Sequence, residues 1–175
     1  NWGAVNVPAT VLWSDPGVLR DYDELMIREH NDPAGWSSGM DTDMRLWLVG
    51  KANTVAIYGE PVYILERSGQ WLKVAAKEQK TSLNENGYPG WVPASHIAMS
   101  STYLNEIKSL PRVVVCTKTA SIYLDTALTQ KKGEVPYQAR LPLLEEKNGI
   151  LAVRLPDGNT GYLSGSDVKN EGDLT

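Results

Sequence analysis

Phenylalanine is absent from this chain, cysteine occurs once, histidine twice, and no apolar run reaches membrane-spanning length. Each shortage excludes something. The lone cysteine, Cys116, cannot close a disulfide within the chain and leaves the redox compartment open. His30 and His96 fit no metal-ligand spacing with it. Without about 18 consecutive apolar residues, no membrane-spanning helix is expected. Basic residues number 17 against 21 acidic ones, for a net charge of -4, and no basic cluster or RNA-reading aromatic motif is visible. Nucleic acid is therefore not an expected partner. There is no G-x-S-x-G elbow, phosphate loop or H-E-x-x-H. No cofactor and no metal are expected.

Hydrophobic residues make up 42% of the 175 positions, enough for a packed core. The six Trp and eight Tyr give nearly every large ring a polar handle, which favours interfaces and clefts.

The chain compares with itself in three blocks of the same order. "VYILERSGQWLKV" from Val62 aligns without a gap with "LPLLEEKNGILAV" from Leu141, placing Leu65, Glu66, Leu72 and Val74 opposite Leu144, Glu145, Leu151 and Val153. "GWVPASHI" from Gly90 aligns with "GYLSGSDV" from Gly161, and "VPATVLW" from Val7 with "TKTASIY" from Thr117. These blocks imply two copies of one unit. Each reads as short strands punctuated by turn residues, and an antiparallel barrel of about five strands is the economical solution. The expected domains are 1–105 and 106–175, joined by the amphipathic linker "MSSTYLNEIKSLPRVVV". The polar "KNEGDLT" after Val168 reads as the start of a connection onward.

Copy one carries an insertion, about 14–51, that copy two lacks. It holds eight acidic residues, and to Gly50 only three basic ones. One or two short helices are expected in it. Asp41 is placed to cap one that shows an apolar stripe of Met44, Trp47 and Leu48 and stops at Gly50, and a second helical turn falls near Tyr22–Ile27.

Candidate chemistry is sparse. Cys116 sits in "VVVCTKT", a β-rich run without the helix N-terminus or adjacent base that a nucleophile needs. Asp41 and Asp43 fit capping better than cation binding. A run of solvated acids gives no sign of the raised pKa that a glycosidase acid requires. His96, opposite Asp167 of copy two, reads as a turn residue. Among the aromatics, Trp13 and Trp91 are hydrophobic in both copies and read as core. "GYPG" at Gly87–Gly90 reads as a tight turn leading into a strand from Trp91. Tyr88 closes "KEQKTSLNENGYPG", which copy two replaces with a much shorter loop, so it reads as functional.

The stretch "VGKANTVAIYGEPVYILERSGQWLKV" followed by "GYPGWVP" resembles the first bacterial SH3-like domain of NlpC/P60 cell-wall peptidases, the γ-D-glutamyl-L-diamino acid endopeptidases. "PLLEEKNGILAVRLPDGNTGYL" is similar to their second such domain. The resemblance implies an all-β fold of two tandem SH3-like barrels, the first elaborated by the insertion. It also implies a papain-like catalytic domain as partner, whose D-C-S-G nucleophile motif this sequence does not contain, so no catalytic residue is assigned. The implied role is non-catalytic. Tyr88 and Tyr58 would line a cleft for peptidoglycan stem peptides, with an acidic residue pairing the free amine, and the protein would act in a secreted or wall-associated setting. A free-standing wall-binding or protein-binding module, and a hydrolase in its own right, remain the two other readings.

Overall fold

In the computed structural model, which describes residues 1–174, the chain forms two compact units that divide between Ala98 and Met99. Unit one contains strands β1 (Trp2–Val5) and β2 (Ala9–Trp13), helices α1 (Glu24–Ile27), α2 (Pro33–Ser38) and α3 (Thr42–Trp47), then β3 (Ala52–Ile57), β4 (Pro61–Ser68), β5 (Trp71–Ala76), β6 (Tyr88–Pro93) and β7 (Ile97–Ala98). Unit two begins with α4 (Ser101–Ser109). It continues with β8 (Arg112–Val115), β9 (Thr119–Tyr123), β10 (Lys131–Pro136), β11 (Arg140–Lys147), β12 (Ile150–Arg154), β13 (Thr160–Ser164) and β14 (Val168–Asn170).

The fold is all-β in its framework, and both units have one topology. Strand order is β3-β2-β6-β5-β4-β1-β7 in the first sheet and β10-β9-β13-β12-β11-β8-β14 in the second. Register agrees residue by residue. Ile64 faces Val74 as Leu143 faces Val153, and each hairpin slips its register at the same place, before Glu66 and before Glu145. Trp13 lies opposite Trp91 as Tyr123 lies opposite Tyr162. In unit one all seven strands contribute to a single buried cluster, among them Val5, Leu12, Ala56, Val62, Val74, Val92 and Ile97. First and last strands sharing one core means that the sheet curls into a barrel-like wrap. The seven strands exceed the expected five because β1 and β7, and their counterparts β8 and β14, close the end of each sheet.

Two further readings change. The expected turn at Tyr88-Pro89-Gly90 is strand: β6 starts at Tyr88, opposite Ala76, and the turn lies just upstream. Pro89 is tolerated because only β5 pairs with that half of β6, β2 meeting it at Trp91 alone. The linker is a helix belonging to unit two, capped by the Ser100 hydroxyl, with Tyr103 buried and Glu106 holding Arg154 at 3.0 Å. The tail also folds back, Glu171 binding Arg112 at 2.9 Å and Arg140 at 2.7 Å, while Thr175 lies outside the described residues.

Glycine at position 90 is required by the crossing of β6 over β2. A Cβ there would stand 2.6 Å from the Leu12 Cβ and 2.9 Å from its carbonyl carbon. Gly161, aligned with it, is crowded by Ile122 and Leu155 at 2.9 Å. Gly87 has φ of 123° and would meet the Ala76 carbonyl oxygen. Gly90→Ala is expected to cost about 1–3 kcal/mol by forcing the two strands apart, visible as a lowered urea midpoint; an unchanged midpoint would refute the crowding.

Candidate functional site

The insertion leaves and rejoins the sheet at one point, where Ser14 N–H donates to the Lys51 carbonyl at 2.8 Å. Between these residues it covers the outer face of β2. Leu12 points into the barrel, while Val11 and Trp13 point outward into a second core with Met26, Trp36 and Met40. The Trp13 and Trp36 rings meet edge to face at 6.2 Å and 81°. Trp47, Trp71 and Trp91 pack around the same cluster. Trp13 and Trp91 are thus packing residues.

This second core is organised by a buried charge. Asp23 is 0% exposed and accepts from Arg20 Nε at 3.1 Å, Arg20 Nη2 at 2.8 Å, Arg20 N–H at 2.9 Å and Trp36 Nε1 at 3.0 Å. Burial pushes its carboxyl up, but these hydrogen bonds and the guanidinium charge together outweigh it and hold the pKa below its ordinary 3.8. The Arg20 guanidinium also donates to the Met44 carbonyl at 2.8 Å and lies 4.1 Å from the Trp47 ring centroid. Asp41, Asp32 and Asp15 cap short helical turns, as acids preceding helices do. Helix α2 and the buried role of Asp23 escape the sequence reading, since an Arg-x-x-Asp pair looks the same on a solvated surface.

His96 is fully buried and is more than a turn residue. Its Nε2 lies 2.7 Å from the Arg28 carbonyl and its Nδ1 2.8 Å from Thr10 Oγ1. Because a carbonyl only accepts, the neutral ring carries its proton on Nε2 and takes the Thr10 hydroxyl proton at Nδ1. One imidazole therefore ties insertion to barrel. Burial lowers its pKa from 6.5, opposed by the Arg28 hydrogen bond.

Gln79 connects the two segments that carry the tyrosines singled out by sequence. Its carbonyl accepts from Tyr88 N–H at 2.9 Å. Its side chain joins the β3–β4 turn, with Thr54 Oγ1 donating to Oε1 at 2.6 Å and Nε2 donating to the Val55 carbonyl at 2.9 Å and to Glu60 Oε1 at 3.2 Å. Glu60 Oε2 takes the Ile57 N–H at 2.7 Å, closing the turn that carries Tyr58. Tyr58 is 6% exposed and Tyr88 half-buried. Gln79 thus links the "YGE" turn, through the Glu60 carboxylate, to the "GYPG" strand entry, through the Tyr88 N–H. Sequence reading missed Gln79 and assigned no acid; the link becomes visible only once the loop after β5 is seen to fold back on β3.

Cys116 follows β8, and its Sγ donates to the Asp167 carbonyl at 3.3 Å. Both histidines belong to unit one, so no imidazole of its own unit serves this thiol. Among the described residues no group of three or more His, Cys, Asp or Glu could hold a metal ion, and no helix is long and apolar enough to cross a membrane.

Against this geometry the comparisons are specific. Residues 115–170 match the YKFC SH3b2 domain and residues 50–97 match the bacterial dipeptidyl-peptidase Sh3 domain, the latter starting where the insertion ends. A gamma-D-glutamyl-L-lysine dipeptidyl-peptidase of Bacillus cereus (strain ATCC 10987 / NRS 248) is 34% identical over 165 residues, 93% of this chain and 49% of that protein. A protein of the same name from Bacillus subtilis (strain 168) is 25% identical over 81% of this chain and 47% of its own. The crystal structure of an NlpC/P60 family protein from Bacillus cereus ATCC 10987 superposes with a TM-score of 0.88 at 32% identity, over 97% of this chain and 56% of that one. An SH3b-type family model thus matches within each of the two units. The chain is homologous to part of these NlpC/P60 proteins and spans about half the length of the curated relatives it matches.

Two outcomes follow for the insertion. Asp23→Ala strands a buried guanidinium and is expected to cost about 3–5 kcal/mol, read as a lowered denaturant midpoint with Trp fluorescence reporting the second core. For His96, the unfolded chain binds more protons than the folded one at any pH between the lowered folded pKa and 6.5, so stability is present above 6.5 and declines as pH falls through that window. Asp23, with its lowered pKa, adds a further loss below 3.8. Denaturant midpoints taken from pH 7 to pH 5 should fall for the wild type and flatten for His96→Gln; parallel slopes would show that the imidazole is not the group responsible.

Proposed function

We propose that this chain is the substrate-shaping and docking part of an NlpC/P60-type cell-wall cysteine peptidase, acting outside the cytoplasm on peptidoglycan stem peptides. The chain itself supplies no catalytic group in this reading. The observation that carries it is the Gln79 assembly, which ties the Glu60 carboxylate beside Tyr58 to the backbone of Tyr88. An ammonium at the end of a peptide needs a carboxylate for charge and oxygen acceptors around it. Glu60 offers the carboxylate and Tyr88 the phenol, on a frame stiffened by the Gln79 bonds. Tyr58, nearly buried, contributes mainly by setting the turn. Homology to peptidases over the SH3b-bearing portion supports a catalytic domain as partner.

The test joins the chain to an NlpC/P60 catalytic domain and follows hydrolysis of a stem tripeptide. Glu60→Gln and Tyr88→Ala are each expected to lower kcat/KM by at least about tenfold, the effect of losing one charge-assisted hydrogen bond. An N-acetylated tripeptide, lacking the ammonium, should be a poor substrate and lose little further on Glu60→Gln. If both variants cleave the free-amine peptide as the parent does, the Gln79 assembly is scaffold. Retention of intact peptidoglycan by the present chain alone would favour the free-standing wall-binding module instead.

A further inference from the structure

We propose that the open groove between Trp2 and the loop joining β5 to β6 is a binding subsite for a carboxylated saccharide. The groove encloses about 510 Å³, within the range of small-ligand sites. Its lining combines the Trp2 indole with Lys77, Lys80, Thr81, Asn84 and Asn86. That set matches what a sugar acid presents: a face of C–H bonds, a ring of hydroxyls and one negative charge.

The indole is a fixed platform. Tyr63 meets it edge to face at 4.9 Å, and Lys77 Nζ stands 5.2 Å from its centroid. That ammonium lies over the ring face, so a sugar stacking there exchanges the cation–π contact for its own and draws its carboxylate to the displaced Lys77 ammonium. The lining sets two ammonium groups, Lys77 and Lys80, against the single carboxylate of Glu85, so the groove favours an anion. Part of the hydrogen-bonding capacity of the lining is unspent. Asn84 uses only Oδ1, accepting the Asn86 N–H at 2.8 Å, and Thr81 Oγ1 accepts the Leu83 N–H at 3.2 Å. The amide NH2 of Asn84 and the whole side-chain amide of Asn86 have no partner among the described residues. Donors and acceptors of both kinds beside an aromatic plate suit hydroxyl recognition better than a purely acidic peptide, which would bring acceptors in excess. The groove is also confined to one copy, since unit two replaces the long loop with the short "LPDGNT" turn.

The groove stands apart from the Glu60 and Tyr88 assembly in its residues and its ligand class; only the choice of probe rests on the wall-peptidase reading. The probe is the N-acetylglucosamine–N-acetylmuramic acid disaccharide with a free lactyl carboxylate, titrated calorimetrically into the present chain at low salt beside neutral chitobiose and a free stem tripeptide. The acidic disaccharide is expected to bind at least about tenfold more tightly than chitobiose, in line with one desolvated charge contact. Lys77→Gln combined with Lys80→Gln, at exposed positions that leave the fold intact, should erase that preference, and Trp2→Ala should abolish binding of both sugars. Glu60→Gln should leave disaccharide binding unchanged, so the two sites fail or succeed separately. Absence of disaccharide binding, binding untouched by the lysine pair, or selection of the tripeptide at this groove would each overturn the assignment.

Discussion

Everything in the first unit turns on the fact that β2 is buried on both faces. A strand alternates its side chains, so Leu12 can serve the barrel while Val11 and Trp13 serve nothing unless a second layer covers them. The insertion is that layer. Its own material could not fold alone, because its three helices are four to six residues long and far below the length at which an isolated helix persists. Helix and strand each complete the other, and the Trp13–Trp36 contact is where they meet.

The device that fixes this layer is polar. A buried carboxylate is tolerated only when its charge and lone pairs are answered, and Asp23 receives four donors, three from Arg20 and one from the Trp36 indole. The same guanidinium then reaches Met44 and Trp47, so one side chain ties the turn at Asp23 to α3. His96 performs the complementary task at the other edge by joining the Arg28 carbonyl to Thr10. Apolar contact supplies the driving force, and these directional bonds select a single arrangement from the many that would bury the same area.

The repeat was legible because the strands encode it twice. "VYILERSGQWLKV" and "LPLLEEKNGILAV" share not only residue types but the register slip before Glu66 and Glu145, so gapless similarity translated directly into equivalent hairpins. The insertion limits were legible too, since copy two passes from Tyr123 to Lys131 with a short loop where copy one needs the stretch from Ser14 to Lys51. What remained hidden depended on burial. Asp23 and Arg20 belong to an acidic stretch whose other members are mostly exposed caps, and no local pattern distinguishes the one that turns inward. Gln79 was equally silent, because its side-chain partners lie 19 to 25 residues away on a different hairpin. Proline before glycine suggested a turn at Tyr88, and the ladder with β5 overrode that preference where β6 lacks its second neighbour.

Comparison of the two copies shows how an elaborated unit arises without changing topology. On β9 the outward positions are Ser121 and Tyr123, half-buried, where β2 has the fully buried Val11 and Trp13. The alternation of polar and apolar residues along β9 is that of a strand with one wet face, whereas the unbroken Val11-Leu12-Trp13 run demands cover on both sides. Unit two instead leaves an open groove against Tyr162, Ile150 and Ala152, and it anchors its end through α4 and the Glu171 ion pairs. Under the role proposed above, a surface shaping another domain's substrate would need Glu60 and Tyr88 in fixed relation, and the Gln79 bonds to Val55, Glu60 and the Tyr88 N–H are the elements of unit one suited to supply it.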